Sequence, residues 1–99
     1  MFAYIWEFLV TPQKIAEFEQ AYSPEGGWSK LFRKCQGYIK TDLFKDSQKN
    51  NRYITIDYWV DSKSFDQIKQ DFIEEYENLD KSCETYTISE KHLGNFEIL

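Results

Sequence analysis

The sequence predicts an α+β domain of the ferredoxin-like class, which is a four-stranded antiparallel sheet with helices on one face. Three observations predict it. The chain has 99 residues, enough for one domain with one hydrophobic core. Strand-like and helix-like segments follow in the order β-α-(α)-β-β-α-β, and no linker or repeat interrupts them. Two right-handed crossovers of this kind place both helical layers on one side of a single sheet, so we expect one domain over residues 1–99.

The first strand and the helix after it occupy residues 2–22. Residues 2–10 are apolar at every position except Glu7, which indicates a strand buried on both faces. Thr11 and Pro12 follow, with the residue types preferred at a helix N-cap and at the first helical position. The apolar residues of the helix then recur at helical spacing: Ile15, Phe18 and Tyr22.

A short second helix follows residues 23–27, whose proline and glycines end the first one. Its apolar residues keep the helical spacing: Trp28, Leu31, Phe32 and Cys35. Gly37 is expected to end it. Residues 38–45 and 52–60 are rich in β-branched and aromatic residues and are joined by a polar turn, which predicts a β-hairpin.

The last helix is predicted over residues 62–79 as one continuous element. Asp61-Ser62 or Ser64 supplies its N-cap, and Gln67 lies three residues after Ser64, as in a capping box. Its apolar residues keep the helical spacing: Phe65, Ile68, Phe72, Tyr76 and Leu79.

The first and third strands predict a homodimer. Both carry large apolar side chains at odd and even positions, so both faces of the sheet are apolar, whereas the helices cover only one. An uncovered apolar face would exceed the few hundred Å² that monomers tolerate. We therefore expect two copies to pack sheet to sheet about a two-fold axis. The final strand, residues 85–99, is kinked at Gly94, and its apolar end (Phe96, Ile98 and Leu99) is expected to reach the partner.

The composition excludes several classes of function. Twelve basic residues against 17 acidic ones give a net charge of −5 and a pI near 4.8, so we expect no nucleic-acid partner and no anionic-membrane partner. No apolar stretch is long enough to span a membrane, and the apolar start lacks the basic residues and cleavage site of a signal peptide. Cys35 and Cys83 are expected to be reduced and buried. These features predict a cytoplasmic protein.

Three segments have a recognisable pattern: the opening YIWEFLVTPQKIAEFEQAY, the segment YITIDYWVDSKSFDQI and the ending SEKHLGNFEIL. The most specific features are Trp59, which runs into a Ser-rich cap with Phe65, and the run His92-Leu93-Gly94. In these features the sequence resembles the antibiotic-biosynthesis-monooxygenase-like family of dimeric α/β barrels over nearly the whole chain. The resemblance implies the fold argued above, a ferredoxin-like protomer paired into a barrel.

The family includes cofactor-free oxygenases of polycyclic phenols and anthrones, quinol oxygenases and haem-degrading enzymes, so its pattern constrains the fold more than the chemistry. The haem-degrading branch shares a strand-three tryptophan, matched here by Trp59. It also uses an asparagine in the first strand and a histidine in the second helix. Here Trp6 stands at the asparagine position, and residues 62–79 contain no histidine. The resemblance therefore implies a cofactor-free oxygenase, and we expect no haem or other cofactor.

The candidate binding site is a ring-lined pocket between the sheet and the helices. If Trp6 and Trp59 both point towards the helices, they form its floor, and a flat aromatic substrate would suit it. The helices would supply the roof: Phe18, Tyr22, Trp28, Phe32, Phe72 and Tyr76. The alternative is that the same rings simply fill the core of a small domain.

Three ionisable side chains are candidates for the base that such an oxygenase needs. Asp57 lies two residues before Trp59, on the same face of the strand, where burial would raise its pKa; a salt bridge to Arg52 or a lysine is the alternative. His92 is the only histidine, the residue type whose charge changes near neutral pH, and a structural role near the subunit contact is its alternative. Glu7 is the third candidate, or else one member of a cross-strand or intersubunit ion pair.

Other catalytic constellations are absent from the sequence. No Cys-x-x-Cys or His-x-His pair indicates a metal site, and no glycine-rich loop stands between a strand and a helix. The acidic run in the last helix is expected to be a solvated face: Asp71, Glu74, Glu75 and Glu77. The family resemblance thus implies cofactor-independent oxygenation of a small aromatic such as a quinol or anthrone. A non-catalytic module that binds a small apolar ligand or serves in assembly is the alternative.

Overall fold

A computed structural model describes all 99 residues and contains the predicted elements in the predicted order. The four strands are β1 (Phe2–Val10), β2 (Tyr38–Lys45), β3 (Arg52–Trp59) and β4 (Thr87–Glu97). The four helices are α1 (Ile15–Tyr22), α2 (Gly27–Phe32), α3 (Asp66–Asp71) and α4 (Ile73–Cys83). A turn of 3-10 helix, Pro12–Lys14, precedes α1.

The strands form one antiparallel sheet in the order β2-β3-β1-β4, which confirms the predicted α+β, ferredoxin-like fold. The two most apolar strands, β1 and β3, are the central pair. Phe2 lies opposite Trp59, and Phe8 lies opposite Tyr53. Since directly opposite residues share a face of the sheet, even-numbered residues of β1 and odd-numbered residues of β3 point to the same side.

The hydrophobic core lies between this side of the sheet, which we call the helix-covered face, and the helices. Its larger part surrounds the fully buried Trp59: Tyr4, Trp28, Leu31, Phe32, Cys35, Ile68 and Cys83. A second cluster closes the other end beneath α1: Phe8, Val10, Phe18 and Tyr53. Each fully buried large apolar side chain contributes roughly 1.5–3 kcal/mol, so these rings dominate the stability of the domain. Both cysteines are buried free thiols, as predicted.

The opposite side of the sheet, which we call the open face, is apolar at its centre and also carries charged side chains: Glu7, Lys40, Asp42, Arg52 and Lys91. Its apolar residues are Ile5, Leu9, Phe44, Ile54, Ile56, Tyr58 and Phe96. Phe44 and Phe96 are each 50% exposed. Arg52 Nη2 lies 2.6 Å from Glu7 Oε2, and Arg52 Nη1 lies 3.2 Å from Asp46 Oδ2. The cross-strand ion pair weighed for Glu7 is therefore confirmed.

The predicted kink at Gly94 is a β-bulge. Ile5 of β1 lies opposite Gly94 and Trp6 lies opposite His92, so Leu93 has no partner. Gly94 has a φ of +149°, a backbone conformation that L side chains rarely adopt, so this position requires glycine.

The prediction of one continuous helix over residues 62–79 is wrong. Two helices meet at Phe72, whose φ of −130° and ψ of 29° interrupt the helical backbone, and α4 continues to Cys83. The predicted capping box is also wrong. Ser64 Oγ donates to Asp61 Oδ1 at 2.8 Å, while Asp61 accepts from the Ser64 amide, so Asp61 caps a turn before α3.

Two details of the first helical segment also differ from prediction. The Thr11 hydroxyl does not cap a helix but donates to the backbone oxygen of Thr85 at 3.4 Å, and Pro12 begins a 3-10 turn. The second helix ends at Phe32, and the chain reaches Cys35 through turns. No helix combines the length and the hydrophobicity that a membrane crossing requires.

Candidate functional site

A cavity of about 80 Å³ lies between the helix-covered face of the sheet and the helices. Most of its wall is aromatic: Tyr4, Trp6, Phe8, Tyr22, Trp28, Phe32, Phe65 and Tyr76. The remaining wall is polar: Thr41, Thr55, Asp57, Asp80 and Glu90. Such a mixture of rings with a few polar groups is typical of small-molecule sites.

Trp6 and Trp59 both point to the helix-covered face, as the prediction of a floor required, but only Trp6 lines the cavity. Four other predicted binding residues line it too: Tyr22, Trp28, Phe32 and Tyr76. Trp59 is fully buried among rings whose centroids are 5.3–5.5 Å away: Phe32, Tyr38 and Phe65. The prediction that Trp59 forms the floor of the cavity is therefore wrong: Trp59 lies in the hydrophobic core beneath the cavity.

Phe72 and Phe18 also lie outside the cavity wall. Phe72 stands at the break between α3 and α4, with the Lys34 ammonium 5.7 Å from its ring centroid. Phe18 is fully buried and stacks on Tyr22 at 4.3 Å between centroids. Their helical spacing correctly indicated an inward orientation, but the part of the interior that they face is filled with other side chains.

Asp57 is the one predicted catalytic residue in the cavity wall. Its Oδ1 accepts a hydrogen bond from Thr41 Oγ1 at 2.5 Å. The alternative, a salt bridge to Arg52 or a lysine, is not formed, because Arg52 pairs with Glu7 and Asp46 on the open face. Burial raises the pKa of Asp57 to about 6, although the hydrogen bond from Thr41 acts in the opposite direction.

His92 and Glu7, the other two candidates for the base, do not line the cavity. The His92 imidazole stacks on Trp6, and its Nε2 is 2.7 Å from Asn95 Oδ1. It thus touches a lining ring but not the cavity itself. Glu7 belongs to the open face, on the far side of the sheet from the cavity.

Two carboxylates that the sequence analysis did not single out, Asp80 of α4 and Glu90 of β4, stand at the exposed end of the cavity. Burial, together with the negative charge of Asp80, raises the pKa of Glu90. Burial also raises the pKa of Tyr22 and of Tyr76 beside them. No basic side chain lines the cavity, so its ionisable wall groups are carboxylates and tyrosine hydroxyls, with no cation. The structure contains no group of three His, Cys, Asp or Glu side chains that could hold a metal ion.

The alternation of side chains along the strands indicates some lining residues that are not among the predicted binding residues. Tyr4 and Phe8 alternate with Trp6 on one face of β1, and Thr55 shares the face of Asp57 on β3. Thr41 could not be found in this way, because the register of β2 against β3 shifts between Tyr38 and Lys40.

The fold of this chain matches solved structures. No protein-family model matches the sequence, and no curated protein matches it. SnoaB, a cofactor-independent oxygenase from Streptomyces nogalater, superimposes with a TM-score of 0.75 at 21% identity, over 99% of this chain and 92% of that one. A candidate antibiotic biosynthesis monooxygenase from Nitrosomonas europaea gives a TM-score of 0.77 at 15% identity, over 100% and 99% of the two chains.

A protein from Pseudomonas aeruginosa is similar as well, with a TM-score of 0.72 at 16% identity over 99% of this chain and 93% of its own. The chain therefore has the fold of the antibiotic biosynthesis monooxygenases, as the resemblance in its sequence implied. At these identities the likeness is one of fold, and the chemistry must be argued from the site.

Proposed function

We propose that this protein is a cofactor-independent monooxygenase of a small aromatic substrate of the quinol or anthrone type. One observation carries the proposal: Asp57, a carboxylate with a raised pKa, stands in the wall of a cavity lined mainly by aromatic rings. The fold shared with SnoaB, a cofactor-independent oxygenase, supports the same reaction class.

The reaction requires a base, a substrate that supplies the electrons, and a site that excludes water. Asp57 takes a proton from the phenolic hydroxyl or from the anthrone carbon. The resulting anion reduces O₂ and forms a C–O bond, and cleavage of the O–O bond leaves one oxygen atom on the carbon and the other in water. A quinol and O₂ thus give a hydroxyquinone and water, and all the electrons come from the substrate.

The pKa of Asp57 suits this role. With a pKa of about 6 the carboxylate is mostly ionised at neutral pH, and it is a stronger base than an ordinary aspartate. The cavity volume of about 80 Å³ is small beside the roughly 300–1,000 Å³ of drug-sized sites. The cavity size therefore favours a single-ring quinol over a three-ring anthrone.

Oxygen uptake with a panel of substituted hydroquinones tests the proposal. We expect uptake by the unmodified protein and a loss of about a hundred-fold or more in Asp57→Asn, since a positioned base contributes that much. Asp66→Asn, which replaces an exposed carboxylate at the start of α3, is the matched control and should keep full activity. Full activity of Asp57→Asn would contradict the assignment of the base.

Absence of uptake with every quinol and anthrone would contradict the oxygenase. Quenching of tryptophan fluorescence by the same compounds would then favour the alternative, a module that binds a small apolar ligand without reacting, since two of the three tryptophans line the cavity.

We further propose that a second copy of this chain covers the open face. The centre of the face is apolar, and the ion pairs on it, Glu7–Arg52, Asp46–Arg52 and Lys40–Asp42, form within the protomer. A second copy packed about a two-fold axis would therefore meet an apolar centre and paired charges, with Lys91 of the edge strand β4 as a charge outside these pairs. Phe96, which is 50% exposed, belongs to the same face, and the exposed Ile98 follows it just beyond the end of β4.

Sedimentation at micromolar concentration tests the dimer. We expect about twice the protomer mass of 11.9 kDa for the unmodified protein and the protomer mass for Ile54→Glu, which places a charge in the centre of the open face. Ile73→Glu changes an isoleucine that is 40% exposed on α4, outside the open face, and should remain dimeric. A monomeric unmodified protein would contradict the proposal.

A further inference from the structure

Asp57 is the end of a chain of hydrogen-bonded hydroxyl groups. Tyr38 Oη lies 2.7 Å from Thr41 Oγ1, which in turn lies 2.5 Å from Asp57 Oδ1. A threonine hydroxyl has one hydrogen, and an ionised carboxylate only accepts. While Asp57 is ionised, Thr41 therefore donates to Asp57, and Tyr38 must donate to Thr41.

A β-bulge makes this chain possible. Residues three apart on a regular strand point to opposite faces of the sheet, so Tyr38 and Thr41 would not meet. In β2, however, Tyr38 lies opposite Trp59 and Thr41 lies opposite Asp57, while the register shifts in between. The extra residue brings both hydroxyl groups to the helix-covered face, and bulges are known to re-aim side chains beside active sites.

Packing fixes both hydroxyl groups. Thr41 is 5% exposed, and the Tyr38 ring packs against Trp59 and Phe32, with centroids 5.3 and 5.7 Å away. Oδ1 of Asp57 is occupied by Thr41, and no other side-chain hydrogen bond reaches this carboxylate. Oδ2 is thus the oxygen without a protein partner.

We propose that Thr41 and Tyr38 are positioning residues for the base: their hydroxyl pair holds Oδ1 of Asp57 and leaves Oδ2 as the atom that takes the substrate proton. This inference rests on the proposed function for its role in catalysis.

The cavity contains other titratable groups. They are Tyr4 of β1, Tyr22 of α1, Tyr76 and Asp80 of α4, and Glu90 of β4. None of them contributes to the raised pKa of Asp57, which burial raises and Thr41 alone lowers.

Titration of Asp57 followed by carboxyl-carbon NMR tests the inference without any substrate. Removing the donor in Thr41→Val should raise the pKa of Asp57 from about 6 to about 7 or higher, because the ionised form loses its hydrogen bond. Thr41→Ser keeps the hydroxyl and should restore the original titration. Tyr38→Phe should raise the pKa by less, since it removes only the outer donor.

Thr55→Val is the matched control, because Thr55 is also a buried threonine of the cavity wall but does not contact Asp57 through a hydrogen bond. It should leave the titration unchanged. An unchanged pKa of Asp57 in Thr41→Val, or an equal rise in Thr55→Val, would overturn the inference.

If turnover is found, the acid limb of kcat/KM should move to higher pH in Thr41→Val together with the NMR titration. If no quinol is oxidised, the proposed reaction fails, and the NMR titration still decides whether the hydroxyl pair holds Asp57.

Discussion

The His92 imidazole stacks on the Trp6 indole, with ring centroids 4.8 Å apart and ring planes 15° apart. Trp6 lines the cavity and His92 does not. The imidazole would therefore affect a bound ligand only by holding the Trp6 ring in place. A role as base would give His92 a large effect on kcat, whereas a supporting role would give it an effect on binding.

We expect His92→Ala to raise KM and to leave kcat nearly unchanged. Loss of one aromatic stack is worth about 0.5–1.5 kcal/mol, which is roughly 2- to 10-fold in affinity. His92→Phe retains a ring on Trp6 and should retain the KM of the unmodified protein. Steady-state kinetics with the best quinol decide the matter: a fall in kcat as large as that of Asp57→Asn would make His92 the base.

Asp57→Asn should stabilise the protein at neutral pH. The pKa of Asp57 is about 6 in the folded chain and near 4 in the unfolded chain, so the folded state binds more protons between these values and stability falls as the pH rises through them. By pH 8 the cost is complete and amounts to about 2–3 kcal/mol, which the substitution removes. Urea unfolding at pH 4 and pH 8 should show the gain only at pH 8. An equal gain at both would indicate another cause.

Trp59→Ala should be among the most destabilising single substitutions. Its side chain is fully buried at the centre of the larger core cluster, and truncating such a ring costs about 3–5 kcal/mol. Trp6→Ala, at a partly buried ring of the cavity wall, should cost less. Chemical denaturation of both variants measures the difference, and equal costs would contradict the placement of Trp59 beneath the cavity.

The two thiols should react slowly in the folded protein. Cys35 and Cys83 are each 3% exposed, and burial raises the pKa of both thiols. Labelling by a disulfide reagent at pH 8 should be at least about a hundred-fold slower than in urea, because it requires local opening. Cys83 ends α4 and should react first; the variants Cys35→Ser and Cys83→Ser identify each rate. Immediate reaction of both thiols would contradict their burial.

The order of the elements and the central strand pair could be predicted because they depend on hydrophobic periodicity, which the chain shows clearly. The break at Phe72 could not, because a single non-helical residue leaves the apolar spacing on either side almost intact and no proline or glycine marks it. The predicted helix caps were wrong for a related reason. Ser64 and Thr11 have the right residue types, but each hydroxyl finds a different partner in the folded chain.

The sequence predicted which face of the sheet carries the candidate site, but not which of the side chains on that face line the cavity. Periodicity correctly turned Trp6 and Trp59 to the same side of the sheet, yet it does not tell which ring borders empty space and which is enclosed by others. The environment of Asp57 was missed because its hydrogen-bond donor, Thr41, is brought there by a register shift that leaves no mark in the residue types of β2.

The unpaired Leu93 changes which residues of β4 point to each face of the sheet. Before it, Glu90 and His92 share the side of Phe8 and Trp6; after it, Asn95 shares the side of Tyr4, and Phe96 turns to the side of Ala3. His92 and Asn95 can hydrogen-bond although they are three positions apart, because the added residue reverses the alternation. A regular strand that kept Leu93 in the pairing would instead send the phenyl ring of Phe96 inwards and the amide of Asn95 outwards. The bulge in this edge strand therefore determines which of its residues can meet a ligand and which can meet another protein.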